Sequence, residues 1–198
     1  MKRKVILCTK NKGKVKEFEE LFNFYNIDIE LISLYDLDDF DEVEENGTNF
    51  KENAFIKANY YFQKYHLPTI SDDSGLCIAA LNGEPGINSA RFSGLGPKEN
   101  IKKVLRLLEN KTNREAYFMC VICYIDEAGN PNYFEGRVNG FIDTKETGDN
   151  GFGYDPIFLV DYKGKLSSFA TLGEDIKNKM SHRANAFTSF TAYWQAKK

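Results

Sequence analysis

Two adjacent carboxylates, Asp72 and Asp73, follow a short apolar run, Leu67–Ile70, and precede Ser74 and Gly75. The pattern predicts a strand that ends at the carboxylates and a turn at the glycine, so that a rigid sheet presents them at its carboxyl edge. Like charges side by side repel each other unless a cation lies nearby. The pair suits binding of a hard cation or proton abstraction from water. An acidic surface turn is the alternative that this segment alone leaves open.

A second segment, Thr9–Lys14, has the residue types that bind an anion. It lies between a predicted strand and a predicted helix that begins near Gly13. Backbone N–H groups at a helix N-terminus favour phosphate, and Lys14 is one turn inside the helix. The P-loop pattern G-x-x-x-x-G-K-[ST] is absent. An ordinary turn with surface lysines fits the spacing equally well.

Two further segments carry candidate contacts. The acidic stretch Asp36–Glu45 contains seven carboxylates, most of which we expect to be solvated. Asn53 and Lys57 follow, one turn apart on a predicted helix, so they can point at the same group. The run Phe152–Asp155 places aromatic rings beside a carboxylate in a glycine-flanked loop. Such rings can stack on nucleobases, worth about 1–3 kcal/mol per base, or be buried in a tight turn.

Composition limits the class of protein. The chain has 198 residues and 42% apolar residues, which predicts one globular domain over residues 1–198. A net charge of −3 argues against a general nucleic-acid binder. The apolar run after the basic N-terminus is too short for a signal peptide, and no stretch is long enough to span a membrane. We therefore expect a cytoplasmic protein without membrane or nucleic-acid partners.

Hydrophobic periodicity predicts an α/β fold with a mixed sheet. The helices are expected at Gly13–Tyr25, from about Thr48-Asn49, at Lys98–Leu108 and at Ser181–Ala196. The strands are expected at Lys4–Thr9, Ile27–Leu34, Thr69–Asp72, Leu76–Ala80, Glu115–Ile125, Asn132–Ile142 and Ile157–Val160.

The cysteines and histidines do not indicate a redox or zinc site, nor nucleophilic catalysis by a Ser-His-Asp set. Cys120 and Cys123 form a C-x-x-C pattern, but they lie in a predicted strand, where residues three apart face opposite sides. A shared redox or zinc site is therefore not expected, and Cys8 and Cys77 are interpreted as small buried residues. No Ser-His-Asp set or histidine metal cluster is evident among the two histidines.

A resemblance to a known family rests on several motifs in the family's order. The segments Ser71–Leu76, Gly83–Gly86 and Ser89–Gly94 resemble the inosine triphosphate pyrophosphatase family. The resemblance extends over nearly the whole chain through the segments Thr9–Lys14, Phe50–Ala54, Gly151–Pro156 and Ser181–Arg183. The family usually has glycine where this chain has Lys10.

The resemblance implies roles for particular residues. Asp73, Lys14 and Lys57 are the expected catalytic residues. Glu44 and Asp73 are the expected Mg²⁺ ligands because Glu44-x-x-Gly47 matches the family pattern, with Glu45 as the alternative. His182 and Arg183 are expected at the 6-oxo edge of the purine, and Lys177 on the nucleotide. The full substrate-binding set is Thr9, Lys10, Asn11, Lys12, Gly13, Lys14, Asn53, Ser74, Arg91, Phe152, Gly153, Tyr154, Asp155, Lys177, His182 and Arg183.

The resemblance also implies a fold and an activity. It predicts an elongated mixed sheet in two lobes, with the nucleotide in a cleft between them. The expected reaction is Mg²⁺-dependent hydrolysis of ITP, dITP and XTP to the monophosphate and pyrophosphate, by a homodimer. Two alternatives remain open: a related pyrophosphatase that prefers pyrimidine or modified bases, and a catalytically silent nucleotide-binding module.

Overall fold

The computed structural model describes residues 2–197 and contains a seven-stranded mixed sheet in that part of the chain. The strands are β1 (Arg3–Leu7), β2 (Ile29–Ser33), β3 (Thr69–Ile78), β4 (Glu115–Ile125), β5 (Pro131–Ile142), β6 (Phe158–Tyr162) and β7 (Lys165–Ser168). The helices are α1 (Lys12–Phe24), α2 (Phe50–Tyr65), α3 (Pro97–Leu107), α4 (Phe169–Leu172), α5 (Glu174–Met180) and α6 (His182–Ala196), with 3₁₀ turns at Ala79–Leu81 and Gly86–Arg91.

The strand order is β2-β1-β3-β4-β5-β6-β7. Strand β1 pairs in parallel with β2 and β3, whereas β6 pairs antiparallel with β5 and β7. The predicted α/β fold with a mixed sheet is therefore confirmed. The expected position of the nucleotide stays a prediction.

The chain divides into two compact units. Unit 1 comprises Met1–Asp73, Cys120–Gly136 and Arg183–Lys198, and unit 2 comprises Ser74–Met119 and Arg137–His182. Strands β3, β4 and β5 each contribute residues to both units. The prediction of one domain over residues 1–198 stays a prediction.

Unit 1 has an aromatic core between α1 and α6. Phe22 lies edge-on to Phe187, with ring centroids 4.9 Å apart, and Phe187 contacts Phe190 at 5.2 Å. Such pairs add to the stabilisation that burial of the rings provides. The inner face of α6 is buried and consists of Ala184, Phe187, Phe190 and Trp194.

Unit 2 has a core of its own. Phe118, Phe158 and Phe169 form its aromatic centre, and the rings of Phe118 and Phe158 are 4.5 Å apart. Helix α3 adds Ile101 and Val104 to the same cluster. Each unit therefore buries its own apolar side chains, which gives each set of functional residues a rigid support.

The segment around the two carboxylates differs from the prediction. We expected a strand ending at Asp72 and a turn at Gly75, but β3 continues from Thr69 to Ile78. A Cβ on Gly75 would lie 2.2 Å from the carbonyl oxygen of Gly86. The glycine permits a close backbone approach within a strand rather than a turn. The carboxylates consequently lie in the middle of a strand.

The N-terminus of α2 resembles a capping box. Asn49 Oδ1 accepts a hydrogen bond from the Glu52 backbone N–H at 2.9 Å, as expected of an N-cap. The Glu52 carboxylate, however, accepts from the backbone N–H of Thr48 at 2.7 Å rather than from that of Asn49. The reciprocal bond of the capping box is thus displaced by one residue.

The cysteines lie in the core, as the sequence analysis expected. All four cysteines are free and buried; Cys120 lies in the core cluster with Phe187, and Cys123 lies in a second cluster with Ala54. The two thiols therefore do face different sides of β4. No helix in residues 2–197 is both long and apolar enough to cross a membrane.

Candidate active site

Asp72 is the centre of a buried network of charges in unit 1. Its side chain is fully buried, and its Oδ2 atom lies 3.0 Å from Lys14 Nζ. The same oxygen accepts hydrogen bonds from Arg183 Nη2 at 2.9 Å and from Arg183 Nε at 3.3 Å. A second carboxylate, that of Glu17, accepts a hydrogen bond from Arg183 Nη1. Two cations thus meet two carboxylates, and of the four side chains only that of Lys14 is partly exposed.

Asp73 has a different environment, because successive side chains of a strand face opposite sides. It is buried and accepts a hydrogen bond from the side chain of Asn53. The charges that act on it most strongly are those of Lys57, Lys14 and Glu45. It therefore faces a mixture of attraction and repulsion.

The pKa values of the two neighbouring carboxyls are shifted in opposite directions. Burial alone raises the pKa of Asp72, but Lys14, Arg183 and Lys57 together outweigh burial and hold that pKa far below its ordinary value. Burial also raises the pKa of Asp73, and here Lys57 and Lys14 do not fully compensate, while Glu45 raises it further. Carboxyls whose pKa values diverge in this way commonly divide acid, base and charge-holding roles between them.

Lys57 joins Asp73 to the acidic stretch. Its Nζ atom lies 3.2 Å from Glu45 Oε1, and both side chains are mostly buried. Burial lowers the pKa of the Lys57 ammonium, but Glu45, Asp72 and Asp73 reverse this and raise it above its ordinary value. Glu44, the expected metal ligand, is exposed. The geometry thus favours Glu45, the alternative considered from the sequence, as the partner of Asp73.

The segment Thr9–Lys14 forms the predicted strand-to-helix turn. Asn11 is the N-cap of α1, and its Oδ1 atom accepts a hydrogen bond from the Lys14 backbone N–H at 3.2 Å. Thr9 Oγ1 accepts from the Asn11 backbone N–H, also at 3.2 Å. The first turn of α1 carries no acidic residue, so it remains suited to an anion.

Lys10 lies at the position where the resembled family usually has glycine. Its side chain is exposed, and its Nζ atom donates to the carbonyl oxygens of Phe40 at 3.3 Å and Asp41 at 3.0 Å. The Lys10 carbonyl oxygen in turn accepts from the Tyr35 hydroxyl at 2.5 Å. In this structure Lys10 thus attaches the turn to the middle of the acidic stretch.

Asn53 connects the acidic stretch to the carboxylate pair. Its Oδ1 atom accepts a hydrogen bond from the Gly47 backbone N–H at 2.8 Å, and its side chain also bonds to Asp73. A Cβ on Gly47 would lie 2.7 Å from the same Oδ1 atom, so a larger residue would push the two segments apart. This close approach explains why the Glu44-x-x-Gly47 pattern requires a glycine.

The predicted base-binding loop lies in unit 2. Asp155 Oδ2 accepts hydrogen bonds from the Phe152 backbone N–H at 2.9 Å and from Lys177 Nζ at 2.7 Å. Lys177 Nζ also lies 4.4 Å from the centroid of the Phe152 ring. Tyr154 donates its hydroxyl proton to the Ser89 carbonyl oxygen at 2.7 Å. These contacts fix the loop that carries the half-buried Phe152 and Gly153.

His182 and Arg183 are adjacent in sequence but belong to different units. The His182 ring is buried and stacks on Phe118 in unit 2, with centroids 4.7 Å apart. Arg183 is almost fully buried and binds Asp72 and Glu17 in unit 1, as described above. The prediction that both side chains contact the purine stays a prediction, and the contacts of Arg183 suggest a different role for it.

The remaining predicted contacts are near the surface. Lys12 is exposed, with its Nζ atom 5.7 Å from the centroid of the Tyr35 ring. Gly13 and Ser74 are half-buried, and Arg91 is exposed at the end of a 3₁₀ turn. Solvent and ligands can therefore reach each of these four residues.

Glu17 is a charged residue of the site that the sequence analysis did not identify. It lies three residues after Lys14 on α1, next to Phe18 in the apolar stripe of the helix. A carboxylate on the buried side of a helix requires a cation, and that anomaly was visible in the sequence. Its partner Arg183, however, lies 166 residues away.

The side chains near Asp73 fit a hard divalent cation. Residues 2–197 contain no group of three or more His, Cys, Asp or Glu side chains arranged to hold a metal ion. Mg²⁺ usually takes only one or two carboxylates and fills its other positions with water and substrate phosphate. The charge of Glu45 raises the cost of ionising Asp73, which such a cation would relieve.

A mixed α/β sheet and a cluster of lysines and carboxylates next to a helix N-terminus are features typical of proteins that act on anionic substrates. The model of the Ham1 family matches residues 5–193, and the chain belongs to that family. The resemblance found in the sequence is thereby confirmed.

Curated relatives and solved structures agree with this assignment. A protein of Oceanobacillus iheyensis named dITP/XTP pyrophosphatase is 43% identical over 93% of this chain and 94% of its own. One of Bacillus anthracis with the same name is 44% identical over 93% and 92%. The Staphylococcus aureus Ham1 protein matches with a TM-score of 0.85 and 38% identity over 99% of this chain and all of its own. A Coxiella burnetii HAM1 protein matches with a TM-score of 0.86 and 36% identity over 98% and 99%.

Proposed function

We propose that this protein hydrolyses the non-canonical purine nucleotides dITP, ITP and XTP to the nucleoside monophosphate and pyrophosphate. Relatives that are 43% and 44% identical over nearly the whole chain carry the name dITP/XTP pyrophosphatase. The observation that carries the proposal is the adjacent pair in β3: Asp72 is bonded to Lys14 and Arg183, whereas Asp73 is bonded to Asn53 and lies under the opposing charges of Lys57 and Glu45.

In the proposed reaction Asp73 acts on the attacking water. The water oxygen forms a bond to the α-phosphorus as one of its protons passes to the Asp73 carboxylate. The bond between the α-phosphorus and the oxygen that bridges to the β-phosphorus breaks, and pyrophosphate leaves with that electron pair. A carboxyl whose pKa lies above its ordinary value is a better proton acceptor than a normal one.

Lys14 and Lys57 supply positive charge during this step. Negative charge accumulates on the phosphate oxygens as pyrophosphate leaves, and a fixed cation stabilises it without reorganising. Lys14 is at the N-terminal turn of α1, where the backbone N–H groups also favour phosphate. Thr9, Asn11 and Gly13 belong to the same turn and would contact the triphosphate.

Members of this family generally need a divalent metal. We propose that the metal is Mg²⁺ and that Asp73 and Glu45 hold it, with the exposed Glu44 as the other candidate ligand. Mg²⁺ would neutralise charge on the phosphate oxygens and orient them. Asn53 and Lys57 would keep the two carboxylates in place through their contacts with Asp73 and Glu45.

Base recognition is assigned to residues of unit 2. Phe152 offers a ring for stacking, and its loop is held by the buried Asp155–Lys177 pair. A donor aimed at position 6 of the purine pairs with the oxygen of hypoxanthine or xanthine but faces the amino group of adenine. An unpaired buried donor is costly, so such a site would reject adenine strongly. His182 is the proposed donor in unit 2.

The family implies that the substrate is a nucleotide. We expect the protein to work as a homodimer in the cytoplasm, without a nucleic-acid partner. The net charge of −3 supports the last of these, since nucleic-acid binding relies on an excess of basic residues.

Release of pyrophosphate from a panel of nucleotides tests the proposal. With Mg²⁺ present, we expect dITP, ITP and XTP to be cleaved far faster than dATP, dGTP, dTTP or UTP. A preference for dTTP or UTP would indicate the pyrimidine-specific alternative, and nucleotide binding without pyrophosphate release would indicate a silent binding module. The variant Asp73→Asn tests the proposed role of Asp73. Its matched control is Asp28→Asn, which changes an exposed carboxylate in unit 1.

A further inference from the structure

The Arg183 guanidinium bridges two carboxylates that belong to different elements. Its Nε and Nη2 atoms donate to Asp72 Oδ2, and its Nη1 atom donates to Glu17 Oε2. All three side chains are buried. A planar guanidinium can hold two carboxylates in a fixed direction, which a lysine ammonium cannot do.

This bridge joins the elements that carry the proposed functional groups. Glu17 lies on α1, three residues after Lys14, so the two side chains are neighbours on the helix surface. Asp72 lies on β3, directly before Asp73. A bond that fixes Glu17 relative to Asp72 therefore also fixes Lys14 relative to Asp73.

The bridge has an electrostatic consequence as well. Asp72 Oδ2 is shared by Arg183 and Lys14, at 2.9 and 3.0 Å. If Asp72 had only Lys14 as its partner, the two charges would cancel each other and little of the Lys14 charge would act on a phosphate. Because Arg183 also bonds to Asp72, Asp72 keeps a cationic partner when Lys14 contacts a phosphate.

We infer that Arg183 is a positioning residue whose second anchor is Glu17, and that the Glu17–Arg183–Asp72 bridge sets the distance between Lys14 and Asp73. The inference rests on the proposed function at the same site. It assigns Arg183 a role that is independent of the nucleobase, in contrast to direct contact with the purine.

Three variants test the bridge: Glu17→Gln, Arg183→Lys and the double variant. Glu19→Gln is the matched control, because it removes the same charge from an exposed position on the same helix. For each, kcat and KM are measured with dITP and dATP, and folding is followed by circular dichroism. Assays run at a temperature at which every variant compared is fully folded.

We expect kcat/KM to fall about 10²-fold in Arg183→Lys, since small displacements of reacting groups cost about that much. A smaller loss of about tenfold is expected in Glu17→Gln. Both nucleotides should lose the same factor, so that the ratio of dITP to dATP activity stays within twofold of the wild-type ratio. The double variant should be no worse than Arg183→Lys, because residues that act as one unit are not additive.

Other outcomes overturn the inference. A collapse of the dITP to dATP ratio in Arg183→Lys would show that Arg183 reads the base. Lower melting temperatures with wild-type kcat/KM in the folded variants would show that the bridge only stabilises the fold. If Arg183→Lys does not fold, Glu17→Gln alone decides, and activity equal to that of Glu19→Gln would contradict the role of Glu17. Absence of dITP hydrolysis in the wild type would instead refute the proposed function.

Discussion

The two sides of β3 at Asp72 and Asp73 use buried charge in different ways. On the Asp72 side, Arg183, Lys14 and Glu17 complete a network in which two positive and two negative charges balance. On the Asp73 side, Lys57 is opposed by both Asp73 and Glu45, so negative charge is in excess. A balanced network is suited to hold a structure, whereas an unbalanced one is suited to bind a cation or accept a proton.

A separate buried ion pair in unit 2 supports this interpretation. In unit 2, Asp155 binds Lys177 at 2.7 Å and also accepts the Phe152 backbone N–H. A Cβ on Gly151 would lie 2.1 Å from Asp155 Oδ2, so the loop is built closely around this carboxylate. This pair shapes a loop, and its charges are balanced like those on the Asp72 side. Burial of a carboxylate therefore does not by itself indicate a reactive group.

The largest effect is expected for Asp73→Asn. The change keeps the shape of the side chain and removes its charge, so we expect a folded protein with kcat for dITP reduced about 10²–10⁴-fold. Pyrophosphate release at saturating Mg²⁺ and dITP measures this loss. Turnover close to that of the Asp28→Asn control would exclude Asp73 from the mechanism.

Asp72→Asn should instead act on stability. Removing one partner of a buried ion pair leaves one positive charge of the Arg183–Lys14–Glu17 network uncompensated, which costs about 3 kcal/mol or more. For a chain of this length, we expect the melting temperature to fall by roughly 6–12 °C. Thermal unfolding followed by circular dichroism at pH 7 measures the change. An equal fall in Asp73→Asn would remove the distinction between the two sides.

Lys14→Ala should reduce kcat/KM for all nucleoside triphosphates by a similar factor. Its proposed partner is a phosphate, which every nucleotide carries, so kcat/KM for dITP and dATP should both fall by about 10²-fold. The ratio of the two values should stay nearly constant. A change in that ratio larger than the change in either value would place Lys14 at the base rather than at the phosphates.

The smallest effect is on acid stability. Because the folded pKa of Asp72 lies below its unfolded value, its contribution to the free energy of unfolding is present above about pH 4 and is lost as the pH falls further. Asp72→Asn should therefore melt well below the wild type at pH 7, and the gap should narrow toward pH 3. A gap that stays constant between pH 7 and pH 3 would contradict the lowered pKa.

Local chemistry made much of the fold predictable. The helical spacing of Phe187, Phe190 and Trp194 indicated the buried face of α6, and Asn49 identified the start of α2. Strand β7 was missed because Lys165–Ser168 is short and mostly polar, without an apolar alternation.

Only those features of the site that depend on residues close together in the sequence could be predicted. Gly75 was read as a turn, but its role depends on the backbone of Gly86, which folding brings close to it. The bond between Glu17 and Arg183 joins residues from opposite ends of the chain, and no spacing rule connects them. Motifs thus identified the residues, while the division of work between Asp72 and Asp73 required the three-dimensional arrangement.

The most direct test of the account is the titration of the two carboxyls in the metal-free protein. Carboxyl carbon shifts of Asp72 and Asp73 can be followed by NMR with ¹³C-labelled aspartate and assigned with the two Asn variants. The ordinary pKa of an aspartate is about 3.9. We expect Asp72 to titrate below this value and Asp73 above it. Titration of both groups on the same side of 3.9 would contradict the claim that one carboxylate anchors the site and its neighbour reacts.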